Sequence, residues 1–78
     1  MKPNPRNPIS PKKLHLSKWT ATHPQHKEKH FIVTKVIEPE PPVTAISEIE
    51  MQAVHSGRSF TMHWRELSDS AIWKRGWL

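Results

Sequence analysis

Apolar and polar residues alternate along two adjoining stretches of the chain. In residues 48–53, Ile49, Met51 and Ala53 alternate with Glu48, Glu50 and Gln52; in residues 60–65, Phe60, Met62 and Trp64 alternate with Thr61, His63 and Arg65. A period of two marks strands with one buried face. Ser56-Gly57 lies between them and predicts a two-residue hairpin loop, Gly57 supplying the positive φ such loops need. That register sets Ala53 opposite Phe60, Met51 opposite Met62 and Ile49 opposite Trp64. On the other face it sets Gln52 opposite Thr61, Glu50 opposite His63 and Glu48 opposite Arg65. A one-residue slip would expose every apolar side chain, so the facing is strongly specified.

The β-branched and aromatic run over residues 30–38 predicts a further strand. Its apolar residues fall on both parities, Phe31, Val33 and Ile37 on one and Ile32 and Val36 on the other, which predicts cover on both faces. Leu14, Leu16 and Trp19 suggest a short edge strand over 14–20 or a chain draped on the core, and residues 23–30 read as a polar loop. Near the C-terminus, Ser68 and Asp69 suit a helix start, Lys74 and Arg75 a helix end, and Gly76 a terminator. A helix there would place Trp73 and Trp77 on one face, four residues apart. It would be about two turns long, so packing must hold it. Prolines at positions 3, 5, 8 and 11 predict a disordered, Pro-rich basic tail over residues 1–12. Residues 13–78 form a single small tryptophan-rich β domain. The expected fold is mainly β, a small α+β domain. It has a three- to four-stranded antiparallel sheet from about 30–38, 47–55 and 58–66, with 14–20 as the fourth strand, and a short C-terminal helical turn. A small SH3-like partial barrel is the alternative.

Composition sharpens this picture. With 78 residues and no cysteine, the core is thin and no disulfide staples it. The four tryptophans carry that burden: Trp19, Trp64 and Trp73 are expected in the core, Trp77 exposed. Charge is uneven: residues 1–30 hold seven Lys and Arg against Glu28 alone, a net +6 out of the chain's +5. A basic arm of this kind attracts polyanions. No apolar run suggests a signal sequence or a membrane span, so a soluble cytoplasmic protein is expected.

Candidate chemistry is sparse. No Gly-rich phosphate loop or nucleophile motif is present, and no enzyme activity or cofactor is expected. His23, His26 and His30 resemble a metal-ligand spacing, but lie in a polar stretch with only Glu28 as a nearby carboxylate, and no metal is assigned to them. Basic residues beside indoles form the candidate binding set: Lys12, Lys13, Lys18, Trp19, Lys74, Arg75 and Trp77. Indoles stack on bases while Lys and Arg hold phosphates. The expected function is that of a small accessory protein binding RNA or another polyanion through its basic N-terminal arm. The alternative is a protein–protein interaction module or homodimer, meeting its partner or itself through an apolar strand and an exposed tryptophan.

Three blocks, "LHLSKWTA" (14–21), "KHFIVTKV" (29–36) and "WRELSDSAIWKRGW" (64–77), together resemble a family of short bacterial tryptophan-rich proteins of unknown function. The resemblance runs from about residue 13 to the end. It implies a bacterial, cytoplasmic, stand-alone domain and brings no activity, ligand or site with it.

Overall fold

His26 and Lys27 both take positive φ, 53° and 62°, and reverse the chain in two residues. This hairpin occupies the stretch expected as a polar loop. It was hidden because the left-handed turn uses His-Lys where Asn-Gly is the usual signal. In the computed structural model, which describes residues 9–78, the turn joins β1 (Lys18–Gln25) to β2 (Glu28–Val36). Then follow β3 (Glu48–Ala53), β4 (Ser59–His63) and β5 (Trp73–Arg75), all in one antiparallel sheet of order β4-β3-β2-β1-β5. The fold is mainly β, with 3-10 turns at Pro11–Lys13 and Trp64–Ser68 as its helical content. Of the expected tail, residues 1–8 lie outside the described residues, while Ile9 packs against the core.

The β3–β4 hairpin keeps the expected faces but not the expected register. Ile49 pairs with Met62, Met51 with Phe60, Glu50 with Thr61 and Glu48 with His63. The pairing is shifted by two residues because the loop has four residues: Ala53 N donates to Arg58 O (2.9 Å), and Gly57 N to Ala53 O (2.8 Å). A shift of two preserves parity, so Ile49, Met51 and Ala53 are all buried. It also carries Trp64 past the end of the ladder. Trp64 opens a 3-10 turn and is half-buried against the core, not facing Ile49 within it.

β2 explains its own two-faced pattern. Val33 pairs with Met51, yet Lys35 pairs with Glu50 and Val36 with Ile49, so one extra residue is inserted between Val33 and Lys35. Such a bulge switches the parity of everything after it. Phe31, Val33 and Val36 therefore face the same core, while Ile32, beside Lys18, and Ile37, switched by the bulge, fall on the outer-face parity.

The C-terminal segment is a turn and a strand, not a helix. Asp69 Oδ1 accepts from Ala71 N (2.9 Å), Trp73 N donates to Asp69 O (2.9 Å), and Ser68 Oγ donates to Arg65 O (2.6 Å). Ser and Asp bind nearby backbone in turns as readily as at helix starts. β5 then pairs with β1, setting Ala21 opposite Trp73 and Trp19 opposite Arg75. Trp73 points inward and Trp77 outward, so the two rings lie on opposite faces.

The core is built on Trp19, Phe31, Val33, Ile49, Met51 and Trp73, with Leu14 and Leu67 from the flanking turns. Phe60 of β4 and Trp73 of β5 each meet Phe31 edge-to-face, with centroids at 5.9 and 5.1 Å. On a flat sheet their strands would lie about 19 Å apart, four ladder steps. Their rings are within about 11 Å of each other, because both lean onto Phe31 from the two edges of the sheet. Hydrogen bonding leaves β4 and β5 as the two edges of an open sheet.

Candidate nucleic-acid interface

After β5, Gly76 takes φ 86°, which only glycine adopts without strain, and turns the chain onto the outer face of β1 and β2. Thr20 holds the segment there. Its hydroxyl donates to Gly76 O (2.6 Å) and accepts from Leu78 N (3.0 Å), which leaves Thr20 only 4% exposed on an otherwise solvent-side face. Trp77 Nε1 donates to Phe31 O (2.9 Å). The indole stays 42% exposed, with Lys18 Nζ 4.7 Å from its ring and His30 tilted beside it at 6.0 Å. His30 Nε2 donates to Leu78 O (2.9 Å), which fixes its proton on that nitrogen. Lys74, opposite Thr20, lies on the same face.

The expected binding set is thus divided. Lys18, Lys74 and Trp77 share the outer surface. Trp19 is fully buried, its Nε1 donating to Ser17 Oγ (2.8 Å), so it has no ring face to offer a base and is corrected to a core residue. Arg75 sits on the inner-face parity with its guanidinium 5.5 Å from the Trp19 ring centroid. Lys12 and Lys13 belong to the first 3-10 turn; Lys12 lines a different surface altogether.

That second surface was not legible, because Trp64 was assigned to the core. Two cavities of about 610 and 350 Å³ share Lys12, Thr44 and Ile46 in their walls. The smaller also takes in His63, Trp64 and Arg65. Trp64 Nε1 donates to Ile46 O (2.7 Å), the His63 ring stacks 6.2 Å away, and the Arg65 guanidinium lies 5.6 Å from the indole. The sequence signal was Arg65 directly after Trp64 in "HWR", a further basic residue beside an indole.

A third feature is structural. Arg58 grips Glu28 through Nη2 (2.7 Å to Oε1) and Nε (2.9 Å to Oε2), and Ser56 Oγ donates to Oε2 (2.6 Å). These bonds, Arg58's first and Ser56's next, hold the carboxyl down at about 2. The pair ties the β1–β2 turn to the β3–β4 turn. His23 and His26 line a small cavity beside it, while His30 bonds to Leu78 on the outer face. Among the described residues no group of three or more His, Cys, Asp or Glu is placed to hold a metal ion. No helix of the described residues is long and apolar enough to cross a membrane.

These features define a small, tryptophan-rich, antiparallel β domain. The chain belongs to the family described as tryptophan-rich protein (DUF2389), a family of unknown function, which matches residues 17–78. Comparison with curated proteins and with solved structures gives no match.

Proposed function

We propose that the protein is a binding module for single-stranded nucleic acid, RNA ahead of DNA, acting through the outer face around Trp77. The observation that carries this reading is the Trp77 ring, pinned by its Nε1 bond yet 42% exposed, with Lys18, His30 and Lys74 on the same face. A base stacked on an indole gains roughly 1–3 kcal/mol, and neighbouring lysines take the phosphates. Sheet faces with exposed aromatics are a recurrent platform for single-stranded RNA. The outward acids Glu48 and Glu50 belong to β3, two ladder steps from β1. That is about 10 Å, beyond the ~8 Å screening length of physiological salt. Lys2 and Arg6 in the N-terminal arm add long-range attraction.

The alternative, a protein-interaction module or homodimer, drew on a strand apolar on both faces. The bulge in β2 returns Val36 to the core and leaves Ile32 and Ile37 on the outer parity, both partly buried, which weakens that motive. The test is fluorescence anisotropy with a labelled 16-nucleotide RNA of mixed sequence at low salt. Trp77→Leu should weaken binding by about 5- to 150-fold, the stacking range above. Lys18→Gln with Lys74→Gln should reduce the log–log salt slope by about 1.4, at ~0.7 per phosphate contact. Absence of binding at low salt, or a Trp77→Leu protein that binds as the wild type does, would refute the proposal.

A further inference from the structure

We infer that the trough between the first 3-10 turn, residues 44–47 and Trp64–Arg65 is a second subsite, one that seats a base–phosphate unit of the same single strand. This rests on the nucleic-acid reading above, but its residues are separate from the Trp77 face. The two cavities share Lys12, Thr44 and Ile46 in their walls, and the volumes, about 350 and 610 Å³, suit a small ligand. The smaller is walled by Pro11, Ile46 and the Trp64 ring, an apolar surface for a base, and no carboxylate lines it.

The fixed cations are Arg65 beside the indole, Lys12 in the wall that both cavities share, and Lys35 in the larger cavity, where Glu38 is the one acid. His63, whose Nδ1 accepts from Arg65 N (3.1 Å), adds a second ring beside Trp64. Lys12, Lys35 and Arg65 form no ion pair with a carboxylate among the described residues. Their charge is therefore available to an incoming anion. The ring is also pre-set. Trp64 Nε1 is tied to Ile46 O (2.7 Å), so a base meets an indole whose orientation is already fixed. A cationic groove with an aromatic ring along it is the recurring design for tracking a single strand. A trough lined only by apolar residues would point elsewhere, but a fixed cation beside the indole at Arg65 and another across the wall at Lys12 select an anion with a flat apolar part, which a nucleotide is.

The test follows the assigned indole Nε1–H signals of the full chain by NMR while uridine monophosphate is added, with uridine and inorganic phosphate as separate controls. The monophosphate should shift Trp64 at lower concentration than either control, and Lys12→Gln or Arg65→Gln should weaken that shift several-fold. In anisotropy, the same substitutions should weaken a 16-nucleotide RNA about tenfold and leave a 4-nucleotide RNA unchanged, whereas Trp77→Leu weakens both. If RNA moves Trp77 but neither RNA nor the monophosphate moves Trp64, the second subsite falls and the first reading survives. If RNA binds nowhere, the first reading falls; a Trp64 shift with the monophosphate alone then supports a nucleotide site by itself. If phosphate shifts Trp64 as well as the monophosphate does, the base has no seat and the inference is overturned. A hexaglutamate peptide that shifts Trp64 when RNA does not would overturn it in favour of an acidic protein partner.

Discussion

Replacing Trp19 with alanine tests whether indole bulk holds this domain together. The ring is fully buried, at 0% exposure, and its one polar atom is satisfied by Ser17. Burying an indole removes about 150–250 Å² from water, or ~4–6 kcal/mol of gross transfer energy at 25 cal/mol per Å². Measured Trp-to-Ala losses in cores run at about 3–5 kcal/mol, because the cavity only partly collapses. A domain of about 70 residues has roughly 4–10 kcal/mol of net stability in all. The substitution should therefore remove about 30% of the stability at least, and in the weaker part of that range all of it. With an m value of about 1 kcal/mol per M, the urea midpoint drops by ~3–5 M or the protein is unfolded without urea. Far-UV circular dichroism is the assay, since it does not depend on the deleted fluorophore. Trp77→Ala supplies the comparison. That ring is 42% exposed, so its loss should cost about half as much. A Trp19→Ala midpoint within 0.5 M of wild type, or a larger loss at Trp77 than at Trp19, would refute the reasoning.

Two further outcomes are expected. Glu28 is depressed from an ordinary 4.5 to about 2 by Arg58 and then Ser56. A lowered folded-state value gives stability that is whole above the unfolded value and lost as pH falls from about 4.5 towards 2. Urea midpoints measured down that range should fall in the wild type and fall less steeply in Arg58→Gln; equal slopes would count against the pair. Gly57 has φ 76° and a Cβ there would touch nothing within 4 Å, so Gly57→Ala costs backbone strain alone, about 1–2 kcal/mol. A drop of more than about 3 M in urea midpoint would mean that the loop is packed in a way its surroundings do not show.

The sequence carried the fold class and the inward set of β3 and β4, because a period of two survives any even shift of register. What it could not carry was the count of loop residues. Ser56-Gly57 looked like a two-residue turn, and only the Gly57 N to Ala53 O bond reveals four. That difference of two is why the sequence predicts Trp64 opposite Ile49, and not beside the cavity that it lines. The β1–β2 turn was illegible for a related reason: left-handed conformations at His26 and Lys27 are imposed by the strands they join, against the preference of both residues. The bulge after Val33 and the strand at Trp73 likewise come from pairing partners distant in sequence. Of the candidate site, the Lys-Trp adjacencies were visible in the chain, but adjacency does not say which face a residue takes. Trp19 follows Lys18 by one position and so lies on the other side of the sheet, in the core.

Strand alternation also explains why Trp77, and no residue within a strand, is the indole of the proposed platform. Any indole in β1 to β5 at an inward position is consumed by so thin a core, as Trp19 and Trp73 are. An outward indole in a strand would lie loose in water, its N–H unpaired with protein. Placing the ring one residue after Gly76 escapes both outcomes. The left-handed glycine swings the chain across the outer face, Thr20 fastens the backbone on either side of Trp77, and Phe31 O takes the indole N–H. The ordering entropy of the ring is met during folding, so a ligand that stacks on it does not have to meet it again. In the proposed reading Thr20 thereby links stability to binding. Its hydroxyl, out of reach of any base, sets where the ring lies.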